Sequence, residues 1–213
     1  MLLLGLDTAT PAVTVAVCAG AQVLAASTAP DDRRHGELLA PAIEAVLREA
    51  GVTAADLGGI AVGVGPGPFT GLRVGLVTAR MLAAVLRVPV HGVCTLDALA
   101  LEAGIDGPLR VATDARRKEV YWAGYDGSAD PVRLEGPHVA RPADVAWAGP
   151  VVGQGPQLYP DAFPDGRAPV RPSATALCRW VDEGRPTLAP EPLYLRRPDA
   201  TEPAAPRKRV LGG

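Results

Sequence analysis

Four groups of residues in this sequence could do chemistry. Asp7 and Asp114 each close a short apolar run, Leu2–Leu6 and Leu109–Thr113. A carboxylate at a strand end can orient a metal-bound water, and it equally well forms an ordinary Asx turn. Gly65-Pro66-Gly67-Pro68-Phe69-Thr70-Gly71 is a glycine-rich turn ahead of an apolar stretch. Such a turn can cradle an anion on backbone N–H groups, but Pro66 and Pro68 remove two donors. Gly63, Gly65 and Gly67 do not complete G-x-G-x-x-G, and no Gly-Lys-Ser/Thr follows; a rigid loop with glycines at positive φ is the alternative. Arg116-Arg117-Lys118 follows Asp114 and reads either as a solvated turn or as a contact for phosphate or a partner. His35, His91 and His138 are scattered, as are Cys18, Cys94 and Cys178, so neither a zinc-ligand spacing nor a nucleophilic triad emerges.

The elements that must position these groups follow from hydrophobic periodicity. Leu2–Asp7 reads as a strand buried on both faces, and Thr14–Cys18 with Gln22–Ala26 as a hairpin. Glu37–Ala50 carries a helical stripe through Leu38, Leu39, Ala42, Ile43, Val46 and Leu47, with Pro41 in its opening turns and Gly51 as its stop. Ile60–Val64 is a strand, Thr70 a candidate N-cap, and Leu72–Leu86 a helix apolar nearly all round, which must be covered on more than one face. Val88–Val93 is a strand, and Thr95 caps a helix to Glu102 or Ala103. The order then restarts with strands at Leu109–Asp114, Glu119–Tyr125 and Pro131–Leu134. A short helix at Pro142–Ala146, a strand at Val151–Gly153 and a helix at Ala174–Glu183 complete it. This weak repeat of element order predicts two α/β halves, 1–104 and 105–197, with a loose tail from 198 to 213 that carries the basic Arg207-Lys208-Arg209.

Composition sets the outer bounds. The chain has 213 residues, 48% hydrophobic and 21% charged, at net charge −2. That suits a folded core and supplies no global basic field for nucleic acid. Charge is uneven: 14 of the 44 charged residues and only one of nine aromatics, Phe69, fall in the first hundred residues. So poor a surface is either wrapped by the rest of the chain or covered by another. Three cysteines without a framework argue against an oxidised scaffold. The opening residues lack a basic n-region. The longest apolar stretch, Val74 to Val88, is broken by Thr78, Arg80 and Arg87 and is short for a bilayer. A cytoplasmic, soluble protein with no membrane partner is expected.

Gly63 to Gly75, with its Gly-Pro-Phe-Thr-Gly-Leu-Arg core, resembles the TsaB family of tRNA threonylcarbamoyladenosine synthesis. So do Leu6–Thr10, His35–Pro41, Asp114–Tyr121 and Pro192–Pro198, in the expected order over roughly residues 1–200. The resemblance implies an α/β, actin-like and ribonuclease-H-like (ASKHA) fold of two subdomains, each a mixed sheet flanked by helices. It implies a non-catalytic dimerisation subunit that pairs with and activates a TsaD-type catalytic paralogue, alongside a TsaE-type ATPase. The assembly would act on the adenosine beside the tRNA anticodon. tRNA would be met through the complex; a homodimer is a further option. Cofactors, ATP and metal, belong on the partner subunits and none on this chain. The paralogue's metal-binding His-x-x-x-His falls on Thr95 and Leu99 here, neither of which can replace histidine.

The expected partner surface is the helix pair, represented by Leu38, Leu39, Ala42, Ile43, Val46, Leu72, Leu76, Ala79, Arg80 and Ala83, burying about 800 Å² per partner. The competing reading is a nucleotide- or metal-dependent enzyme acting alone, with Asp7, Gly65, Gly67 and Asp114 forming its cleft. A third, an RNA-binding module on Arg116, Arg117, Lys118 and the tail, lacks an aromatic-plus-basic stripe.

Overall fold

The computed structural model describes residues 1–29, 34–127 and 130–196. The expected tail, with Arg207-Lys208-Arg209, lies outside them. The first sheet has the order β3-β2-β1-β4-β5, from β1 (Leu2–Thr10), β2 (Ala12–Ala19), β3 (Gln22–Ala29), β4 (Gly59–Gly63) and β5 (Val90–Val93). β1 pairs antiparallel with β2 and parallel with β4, so the sheet is mixed. Central β1 is buried along nearly its whole length, which is why it reads as an unbroken apolar run. The second sheet, β8-β7-β6-β9, is built from β6 (Gly107–Asp114), β7 (Val120–Gly127), β8 (Val132–Ala140) and the short β9 (Val151–Val152). This is the expected actin-like, ribonuclease-H-like architecture, with the order β3-β2-β1-β4 repeated as β8-β7-β6-β9 and β5 added at the edge of the first sheet.

The helices complete the layers. α1 (His35–Glu49) and α2 (Phe69–Leu86) lie on one face of the first sheet. α2 docks through Gly71, Leu72, Gly75, Leu76, Ala79 and Ala83. The Thr8 hydroxyl latches it to β1, donating to Gly71 O at 2.7 Å and accepting from Gly75 N at 3.0 Å. α2 starts at Phe69 with Pro68 as its N-cap, so Thr70 lies inside the helix rather than capping it. At 18 residues and mean hydropathy 1.5 it is long and apolar enough to cross a membrane by those two measures. Its inward face instead closes the core of the first sheet.

The expected boundary at 104/105 separates the sheets but not the helices. α3 (Thr95–Ala103), from the first half, packs on β6, β7 and β9. α5 (Ala174–Asp182), from the end of the second half, packs on β1, β2 and β4. Thr14 Oγ1 accepts from Ala174 N at 3.0 Å and fixes that crossing. α3 and α5 also pack on each other. Each half therefore supplies a helix that covers the other half's sheet. α4 (Gly155–Leu158) is a single short turn that periodicity does not register.

Candidate functional site

β1 delivers Asp7 to the centre of the molecule, not to a cleft. Its side chain is fully buried. Oδ1 accepts from Ala9 N and Oδ2 from Thr95 Oγ1, both at 2.7 Å. Thr95 Oγ1 in turn accepts from Gly65 N at 3.2 Å, tying α3 to the Gly-Pro loop. Burial pushes the Asp7 carboxyl up to about 6, against the pull of its two hydrogen bonds and of nearby His35. Thr95 thus spends its hydroxyl on Asp7 rather than on capping α3, whose N-cap is Cys94. Leu99 is fully buried among apolar residues under the second sheet. An enclosed carboxylate, a hydroxyl and a leucine make no donor set for a divalent cation.

The Gly-Pro loop is sealed the same way. Gly65 takes φ +95° ahead of a cis Gly65–Pro66 bond. A Cβ on Gly67 would run into the Ala9 backbone. The rigid-loop reading holds here: the glycines serve turn geometry and close packing. His35 Nε2 donates to Thr10 O at 2.9 Å and holds the start of α1 against the end of β1.

An actual cleft opens between the sheets, over the outer side of this loop. One cavity of about 210 Å³ is lined by Gly67, Pro68, Phe69, Arg116, Tyr121 and Arg196 among others. A neighbouring cavity of about 280 Å³ shares Pro68, Phe69 and Arg116 and reaches Thr8, Thr10 and His35. Of the four expected cleft residues only Gly67 lines them. Asp7 and Gly65 face the interior, and Asp114 forms an Asx turn, its Oδ1 accepting from Arg116 N at 2.8 Å. The β6–β7 turn beyond it carries a feature that sequence patterning cannot show. Arg116, Arg117 and Lys118 all adopt left-handed backbone, at φ 59°, 54° and 60°. Each such non-glycine residue costs on the order of 1–2 kcal/mol.

The helix pair corrects the expected partner surface. Leu39, Ile43, Val46, Leu72, Leu76, Ala79 and Ala83 are all buried in the chain's own core against the first sheet. Leu38 and Ala42 are half-buried, and Arg80 is exposed. The apolar stripe of an amphipathic helix goes to its own sheet first. What remains outside is a second apolar row on α2: Val77, Met81 and Val85, at 53%, 65% and 79% exposure. Arg73 and Phe69 continue it at four-residue spacing toward the cleft.

Residues 22–158 match the family model described as TsaD: tRNA N6-adenosine threonylcarbamoyltransferase. Over 92% of this chain and 95% of the relative, the sequence is 32% identical to the tRNA threonylcarbamoyladenosine biosynthesis protein TsaB of Escherichia coli. The chain belongs to the TsaB family. An uncharacterized protein of Mycobacterium tuberculosis is 42% identical over 92% of each chain. YeaZ from Pseudomonas aeruginosa, a solved structure, superposes with a TM-score of 0.78 at 30% identity, over 91% of this chain and 99% of that one. As a TsaB-family member the chain works in tRNA threonylcarbamoyladenosine biosynthesis.

Proposed function

We propose that this TsaB-family chain is a non-catalytic scaffold subunit that pairs with a TsaD-type catalytic paralogue in the cytoplasm and activates it. ATP and metal are then held by partner subunits, including a TsaE-type ATPase. The supporting observation is the outward row Val77, Met81 and Val85 on a helix that is already docked through its other face. Three large apolar side chains at i, i+4 and i+8 form a continuous strip, of the kind that marks an interface. Half-buried Leu38 and Ala42 of the adjoining α1 can widen it. The enclosed Asp7 and the Thr95/Leu99 pair favour this over an enzyme acting alone.

The test uses Met81→Asp and Val85→Asp. Both positions are exposed, so the free chain should keep its Tm. In the complex each places an uncompensated charge in an apolar contact, and pairing should weaken by at least about a hundredfold. Analytical ultracentrifugation with the TsaD-type partner reads the result. Full pairing of both variants would overturn this surface.

A further inference from the structure

The basic β6–β7 turn is strained along its length, and Arg116 is drawn toward the adjoining Asp114, Nε to Oδ2 at 3.6 Å. Arg116, Arg117 and Lys118 are exposed, and a glycine or asparagine would close the same hairpin without strain. Long cationic side chains therefore stand where the backbone most disfavours them, and strain of that kind gathers at functional sites. The two cavities beside the turn are lined by Arg116, Arg117, Arg196 and His35, Arg116 pairing with the adjoining Asp114 and Arg196 with Glu119. Phe69 and Tyr194 stack at 5.3 Å on the rim, 39% and 37% exposed, and Arg73 lies 3.7 Å over the Phe69 ring.

We propose that this turn and cleft bind the tRNA substrate, with Arg116, Arg117 and Lys118 on backbone phosphates and the Phe69–Tyr194 pair as a platform for an unpaired base. The inference rests on the scaffold reading above, because it places the contact on this subunit within the assembled complex. Guanidinium forks match phosphate oxygens in pairs. Recognition of single-stranded RNA combines such cations with aromatic faces. The two cavities adjoin and share Pro68, Phe69 and Arg116, so the cleft has room for one group protruding from a larger ligand. A chain of net charge −2 would hold RNA by this local patch, with the partner supplying the rest.

The experiment compares the wild-type complex with one carrying Arg117→Gly and Lys118→Gly together, by tRNA fluorescence anisotropy over a salt series. Glycine relieves the left-handed strain, so Tm should stay level or rise. tRNA affinity should fall roughly tenfold or more, and the slope of log K against log salt should flatten by about 0.7 to 0.9 per lost phosphate contact. Pairing is followed in the same samples by sedimentation. Intact pairing with unchanged affinity and slope overturns this inference alone, and so does a lowered Tm, which would make the turn structural. Displacement of tRNA from the wild-type complex by micromolar AMP would make the cleft a free-nucleotide site and overturn it too. Failure of the wild-type chains to pair overturns the scaffold reading and this inference with it.

Discussion

Asp7 carries the energetics of the interior node. Its carboxyl sits near 6 in the folded chain against 3.8 in the unfolded one, chiefly because burial penalises the charged form. Between those values the folded state binds more protons than the unfolded state, so stability falls as pH rises from about 4 to about 6 and levels off above that. The full difference is on the order of 3 kcal/mol. Asp7→Asn keeps an oxygen for Ala9 N and carries no charge. Urea unfolding should therefore give the variant a smaller loss of stability between pH 4 and pH 7 than the wild type. Identical pH profiles would mean that Asp7 is not the group responsible. The aspartate was legible in the sequence as a strand-end carboxylate, and so was the choice between a metal role and a local turn. Its true partner was not, because Thr95 lies 88 positions away and no periodicity links a threonine to an aspartate across a fold. Thr8 is hidden for the same reason: one hydroxyl joins two glycines of a helix to a strand, and only the packed geometry brings them together.

Helical stripes were readable from spacing alone, but not which way they point. The row through Leu39, Ile43 and Val46 faces the first sheet, where an aspartate would be buried without a partner. Ile43→Asp should cost about 4 kcal/mol or more and lower Tm before any partner is added. Met81→Asp, on the outer row of α2, should leave Tm alone and act only on pairing. Thermal unfolding of the isolated variants separates the two faces, and a wild-type Tm for Ile43→Asp would contradict the assignment of the inner one. The expectation that α2 must be covered on more than one face comes from its composition, and the sheet satisfies only half of it. That remainder, rather than the stripe itself, is the signal for a partner. The Arg116–Lys118 turn was readable as basic, but its strain was not, since nothing in those three residue types announces positive φ.

At the scale of the molecule, two sheets that share no strand are held as one body by crossing segments. α3 and α5 exchange sheets, and the stretch after α5 returns along the edge of β5. Leu188 bridges Gly92 at the edge of β5, and Leu193 N donates to Val64 O at 2.9 Å. Leu193 packs against the cores of both halves. Tyr194 OH accepts from Arg73 Nε at 2.8 Å, and Arg196 Nη1 donates to Ala115 O at 2.7 Å while pairing with Glu119. This strap runs from the Gly-Pro loop to the basic turn and lines the cleft through Tyr194, Leu195 and Arg196. Leu193→Ala removes the side chain that both cores share. Its half-buried position places the loss at about 2 kcal/mol, the low end for a leucine truncation. Because the strap ends on Ala115 and Glu119, the β6–β7 turn should also loosen. Amide hydrogen exchange at residues 115–119 should then speed up by more than exchange in β1, which stays covered by α2 and α5. A uniform acceleration across both sheets would show that Leu193 stabilises the fold as a whole and does not govern the cleft.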